Sequence, residues 1–180
     1  MQVHQDFNTP SLHPEAFSLP HLGPLPELDV EQWLNTEQPL SLAQCRGRVV
    51  ALYVFQMLCP SCISHSLPQA KQLRQAFTKK DLVVIGLHSV FEHHSAMPEV
   101  SLRAFLKEYE IDLPVAIDRA SDMGIPHSMQ NYGLQGTPSL LLIDQSGRLR
   151  RHYFGLASDI ELGAEIMELI LSDDTASFRG

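Results

Sequence analysis

The sequence predicts an α/β fold, a mixed central sheet with helices on both faces. Three observations predict it: two continuous apolar, β-rich runs at residues 49–55 and 82–87, apolar residues at helical spacing after each run, and a hairpin followed by a helix near the carboxyl end. The chain has 180 residues, 44% of them hydrophobic and 19% charged. A domain of that size buries roughly 70% of its unfolded surface, and one domain is the default for this length. Thirteen Lys and Arg against twenty-one Asp and Glu give a net charge of −8, which repels nucleic acid and anionic lipid. No apolar run approaches the roughly 18 residues of a membrane span. The expectation is therefore no nucleic-acid partner and no membrane.

The elements follow in order. Residues 1–26 carry Pro and His with no period of 2 or 3.6 and are expected to be an extended, partly disordered lead-in. They have neither a basic start nor an apolar h-region, so the expected setting is cytoplasmic. The main domain is expected over 27–172, with Trp33 as a partly buried anchor near one sheet edge. Residues 49–55 read as a strand covered on both faces. Leu67, Ala70, Leu73 and Phe77 then recur at helical spacing, with Pro68 expected to kink their helix. After the second buried strand, Leu102, Phe105, Leu106 and Tyr109 mark an amphipathic helix, and 114–117 a short third strand. Residues 139–143 and 149–154 flank Asp144-Gln145-Ser146-Gly147, a composition suited to a hairpin turn. Ser158 and Glu161 form a capping box before a closing helix with Ile160, Ala164, Met167 and Leu171 at helical spacing. Residues 173–180 are expected to be a flexible tail.

The chemistry concentrates in Cys59-Pro60-Ser61-Cys62, directly after the first strand. Three cysteines, an odd number, argue against a secreted disulfide scaffold. A cysteine capping a helix that begins at Pro60 faces unpaired backbone N–H groups and the positive end of the helix dipole, and both favour thiolate. Cys62 lies one turn later on the same face. It can attack a mixed disulfide formed on Cys59, so two sulfurs suffice for a complete exchange cycle. Half a zinc site is the competing reading. Cys45 and His65 could complete four ligands on paper, but a second close-spaced ligand pair is missing.

With these residues in hand the chain resembles the thioredoxin superfamily, and within it the TlpA/ResA-like thiol-disulfide oxidoreductases. The marks are Pro26-Glu27-Leu28, Arg46-Gly47-Arg48-Val49-Val50, the strand into the cysteine motif, Gly136-Thr137-Pro138 before the strand at 139, and more weakly Val84-Ile85-Gly86-Leu87-His88-Ser89 with Phe91-Glu92. The resemblance implies a thioredoxin-like fold and an oxidoreductase with antioxidant thiol chemistry, without metal or organic cofactor. It also implies a disulfide-containing protein or small-molecule thiol substrate and an upstream electron donor. Pro138 would be a cis proline beside the disulfide, and Thr137 would lend backbone hydrogen bonds to the substrate, which Pro60 and Ser61 would also face. Glu92 would match the acidic residue that exchanges protons with the resolving thiol, provided burial raises its pKa; the other reading is a solvated loop carboxylate.

Several positions depart from the family. Leu58 replaces the usual aromatic, Tyr53 stands where thioredoxins keep a buried aspartate, and Pro68 lies one residue farther from Cys62 than usual. The added residue can be absorbed as a π-bulge or can shift the kink. Cys45 is expected to pack in the interior. Two rivals remain. A peroxiredoxin-type peroxidase would require Pro at position 52 and Thr at 56, where Leu52 and Gln56 stand. A non-catalytic module would bind metal or a partner through the cysteines and the loop holding His88, His93 and His94.

Overall fold

The computed structural model describes residues 19–172. The elements are β1 (Val30–Leu34), β2 (Val49–Phe55), α1 (Leu67–Ala76), β3 (Leu82–His88), α2 (Glu99–Glu108), β4 (Val115–Asp118), α3 (His127–Asn131), β5 (Ser139–Ile143), β6 (Leu149–Phe154) and α4 (Asp159–Ser172). Six strands form one mixed sheet in the order β1-β4-β3-β2-β5-β6. β2, β3 and β4 run parallel, β5 is antiparallel to β2, and β1 and β6 close the two edges antiparallel to their neighbours. The fold is the α/β thioredoxin-like architecture.

β2 occupies the middle of the sheet, which is why its seven residues are all buried and read as an unbroken apolar run. Val49, Ala51, Tyr53 and Phe55 pack with Leu67, Ala70 and Leu73 of α1, Leu102 and Leu106 of α2, and Leu162, Ile166 and Leu169 of α4. Val50, Leu52 and Val54 face the other way, onto Met129 of α3 and the short 3-10 turn that ends in Cys45. Helices thus cover both faces, three on one side and α3 on the other.

The closing helix is present, but the expected face is not the one it buries. Leu162, Ile166 and Leu169 point inward, while Ile160, Met167 and Leu171 are exposed. Both sets keep helical spacing along this apolar segment, so periodicity alone does not choose between them. Glu165 falls on the inward side and is kept there by partners: Tyr153 Oη donates to its Oε2 at 2.7 Å, and Arg151 Nη2 lies 2.8 Å from its Oε1.

β1 and α3 had no separate signal, because five residues are too few to display a period. β1 lies along β4 with Trp33 opposite Ala116 and Trp33 half-buried, in the edge region expected for it. Of the lead-in, residues 19–26 are described. They pair with the start of β6, with Leu22 N donating to Leu149 O at 2.9 Å, Leu149 N to Gly23 O at 2.8 Å, and a bridge between Pro24 and Arg148. Arg150 donates to Leu19 O at 2.7 Å and Pro20 O at 3.0 Å and contacts Asp144 at 3.3 Å. Residues 1–18 and the tail at 173–180 lie outside the described residues.

Candidate active site

β2 delivers the chain to the cysteine motif through a tight turn. Gln56 is buried, its carbonyl accepts from Cys59 N at 3.3 Å, and a helix begins at Pro60. Cys59 and Cys62 are joined by a disulfide, with their Cα atoms 5.2 Å apart. Cys62 N donates to Cys59 Sγ at 3.2 Å, and Ile63 N to Cys59 O at 3.2 Å. Cys59 Sγ therefore sits against the N–H groups that open the helix, where negative charge on sulfur is stabilised. Exposure separates the two sulfurs: Cys59 is half-buried, Cys62 fully buried, and Pro60, Ser61 and Leu58 beside them are exposed.

The helix continues through a π-turn at Cys62–Ser66, in which Leu67 N donates to Cys62 O, and then as α1. Of the two ways to absorb the added residue before Pro68, this chain uses the π-turn. Proline lacks the N–H that a regular helix would use at that point, so a wider turn just before it forfeits little.

The Thr137–Pro138 bond is cis, the isomer the resemblance implies. Ser139 pairs with Val54, so this segment lies at the end of the sheet from which the cysteine turn departs. Ser139 Oγ donates to Gly136 O at 2.8 Å and Gly155 N to Pro138 O at 2.9 Å, fixing the segment from both sides; Pro138 is buried and Thr137 half-buried.

Glu92 is tied to the same turn, since Gln56 Nε2 donates to its Oε1 at 3.5 Å and Gln56 Oε1 accepts from Phe91 N at 3.2 Å. It is nevertheless exposed, without the burial that proton exchange with a resolving thiol calls for. His93 and His94 are also exposed, whereas His88 turns inward against Phe55, with ring centroids 5.3 Å apart. Burial pushes His88 down to about 4, and its Nε2 has no hydrogen-bond partner. In place of a buried aspartate, Tyr53 is fully buried and donates to Gln69 Oε1 at 3.0 Å; burial first, then the Asp159 charge, hold its hydroxyl protonated. Gln69 passes the connection to Ala157 O at 3.0 Å and Asp159 Oδ1 at 2.6 Å. Cys45 lies buried away from the pair, its thiol pushed up by burial against the opposing pull of Arg48. Among the described residues, no three His, Cys, Asp or Glu side chains gather as metal ligands.

Sequence reasoning missed Gln56, Tyr53 and Gln69 as a set. Their partners come from distant segments; the apparent mismatch at positions 53 and 56 marked Tyr53 and Gln56, and nothing marked Gln69.

Comparison with known proteins follows the same lines. The redoxin family model matches residues 23–159. NHL repeat-containing protein 2 of Gallus gallus is 34% identical over 130 residues, covering 69% of this chain, and the chain spans only 17% of that protein's length. The thiol-disulfide oxidoreductase ResA of Bacillus cereus is 23% identical over 116 residues, covering 64% of this chain and 60% of ResA. Among solved structures, a thioredoxin-like superfamily protein superposes with a TM-score of 0.82 at 49% identity, covering 83% of this chain and 97% of its own. A thiol-disulfide isomerase from Corynebacterium glutamicum gives 0.80 at 44% identity with the same two coverages, 83% and 97%.

Proposed function

The chain belongs to the redoxin family, and from that premise we propose that it is a thiol-disulfide oxidoreductase in which Cys59 attacks and Cys62 resolves. The observation that carries the assignment of roles is the unequal exposure of the two sulfurs at one helix start: Cys59 is reachable and Cys62 is not. In the reducing direction, Cys59 thiolate attacks one sulfur of a substrate disulfide, forming a mixed disulfide and releasing the other sulfur as thiolate. Cys62, as thiolate, then attacks Cys59 Sγ and expels the second substrate sulfur. The substrate gains two electrons, the dithiol becomes a disulfide, and protons taken up by the departing thiolates balance those lost from the two cysteines. Run backwards, the same steps oxidise a substrate dithiol.

Pro60, Ser61 and the Thr137–Pro138 segment make up the surface that meets the substrate in this reading. The partners are a disulfide-containing protein or small-molecule thiol and an upstream electron donor, and the setting carried with the proposal is cytoplasmic, where the thiol pool keeps such a pair reduced between turnovers. The names of ResA and of the Corynebacterium glutamicum isomerase support exchange chemistry for this chain as well.

Trapping tests the roles. Cys62→Ser, reduced and mixed with a disulfide substrate such as insulin, is expected to accumulate a mixed disulfide through Cys59, because the resolving thiol is gone. Adducts found on Cys45, or accumulation in Cys59→Ser through Cys62 instead, would reverse or remove the assignment.

A further inference from the structure

Gln56 is the one polar side chain on the cysteine turn that is buried and bonded at both ends. Its Oε1 accepts the Phe91 N–H at 3.2 Å, its Nε2 reaches Glu92 Oε1 at 3.5 Å, and its own carbonyl accepts the Cys59 N–H at 3.3 Å. The residue is 1% exposed, so leaving its carboxamide unpaired would cost free energy. Neighbouring strands add to the connection: Phe55 and His88 lie in register where β2 and β3 end, and Ser89 N donates to Phe55 O at 3.1 Å. The turn that presents Cys59 and the loop that leaves β3 are thus bonded to each other, and the Gln56 carboxamide is the clasp.

We propose that Gln56 is a positioning residue of the dithiol, joining the Cys59 turn to the Phe91–Glu92 loop and so setting how readily Cys59 and Cys62 close into a disulfide. The inference rests on the exchange function proposed above. Ring closure requires Cys59 Sγ to stay within reach of Cys62, and the fraction of time it does so is the effective concentration of one thiol toward the other. A clasp that restricts the turn raises that concentration. Releasing it lowers the equilibrium constant for the reaction in which the dithiol and one glutathione disulfide give the protein disulfide and two glutathione thiols, a balanced two-electron exchange. Cys62 is held in the helical π-turn, whereas Cys59 N is bonded to Gln56 O, so the effect acts through Cys59.

The equilibrium constant with the glutathione couple, measured on the full chain at fixed pH, reads the effect. Gln56→Ala is expected to lower it by about threefold or more, because the turn is freed. Gln56→Glu keeps an acceptor for Phe91 N but sets a carboxylate against Glu92, and is expected to lower it comparably. Combining Gln56→Glu with Glu92→Gln restores a donor to face the introduced carboxylate and is expected to return the constant to within about twofold of wild type. That rescue is the outcome a merely structural role would not produce. Constants for Gln56→Ala and Gln56→Glu equal to wild type, or a double variant no better than Gln56→Glu alone, would overturn the inference while leaving the dithiol function intact. A wild-type protein that does not equilibrate with glutathione through Cys59 and Cys62 would remove the dithiol function itself. If Gln56→Ala does not fold, the comparison between Gln56→Glu and its rescue decides alone.

Discussion

His88 is held uncharged in the interior at a cost that depends on pH. Burial lowers its folded pKa to about 4, against an unfolded value near 6.5. Below the unfolded value, the denatured chain gains a proton that the folded chain does not. Its contribution to stability is therefore complete above pH 6.5 and is lost as pH falls from there toward 4, by up to about 3 kcal/mol. Urea unfolding of wild type and His88→Phe at several pH values checks this: the wild-type slope between pH 6.5 and 4 is expected to be steeper, and equal slopes would show that His88 titrates normally in the fold. The contrast with the cysteines shows what is legible at this scale. Cys59 and Cys62 announce themselves by spacing alone, with a strand before and a helix after. His88 was one of three histidines in a loop-like stretch, and only the pairing of β2 with β3 separates it from His93 and His94. Glu92 likewise matched by position, but position carries no information about burial.

At the scale of elements, the strands of the central sheet were legible because their surroundings are uniform. β2 and β3 are covered on both faces, and apolar runs follow from that. Helix faces were less so, as α4 shows, because an apolar residue on the outer side of a helix looks like one on the inner side. Close packing between strands leaves its own trace at Gly86 of β3. A Cβ built there would lie 3.0 Å from Leu113 Cδ1, 3.1 Å from Phe55 Cε1 and 3.2 Å from Val115 Cγ2. All three are crowded side chains in a filled layer, so Gly86→Ala is expected to destabilise by about 1–3 kcal/mol through overpacking. Chemical denaturation gives the value directly. Stability equal to wild type would mean that Leu113 and Phe55 have room to move aside.

For the whole molecule, alternation of strand and helix followed by a hairpin was enough to give the class of fold, and the cysteine motif with Gly136-Thr137-Pro138 was enough to place its chemistry at one end of the sheet. The parts that were not legible are those held by contacts between remote segments. Residues 19–26 are the clearest case: nothing periodic marks them, and they are fixed by Arg150, 130 residues beyond Pro20. Arg150 and Asp144 are both almost fully buried. Burial raises the Asp144 carboxyl, but hydrogen bonds from Ser146, Arg148 and Arg150 outweigh it and leave the group below its ordinary range. Removing one member of a buried pair leaves the other uncompensated, so Arg150→Ala is expected to cost about 3 kcal/mol and to expose residues 19–21 to proteolysis. Limited digestion alongside denaturant unfolding tests both halves; an unchanged cleavage pattern would mean that the segment is held by its backbone pairing alone.

That backbone pairing has another consequence. A sheet edge with free N–H and C=O groups is a template on which a foreign strand, or a second copy of the same chain, can polymerise. Here the start of β6 is already taken by the incoming segment, through the paired bonds of Leu22 and Gly23 with Leu149 and the bridge of Pro24 to Arg148, while Leu25 N bonds Gly147 O in the turn before the strand. The opposite edge is β1, only five residues long, interrupted by a bulge between Val30 and Gln32 and carrying the exposed carboxylate of Glu31. Each border of the sheet thus discourages addition in a different way, one by having its first residue already paired and the other by being short, bent and charged. A strand adding to β6 would have to displace the pairing at Leu149, and one adding to β1 would meet the bulge and the Glu31 carboxylate.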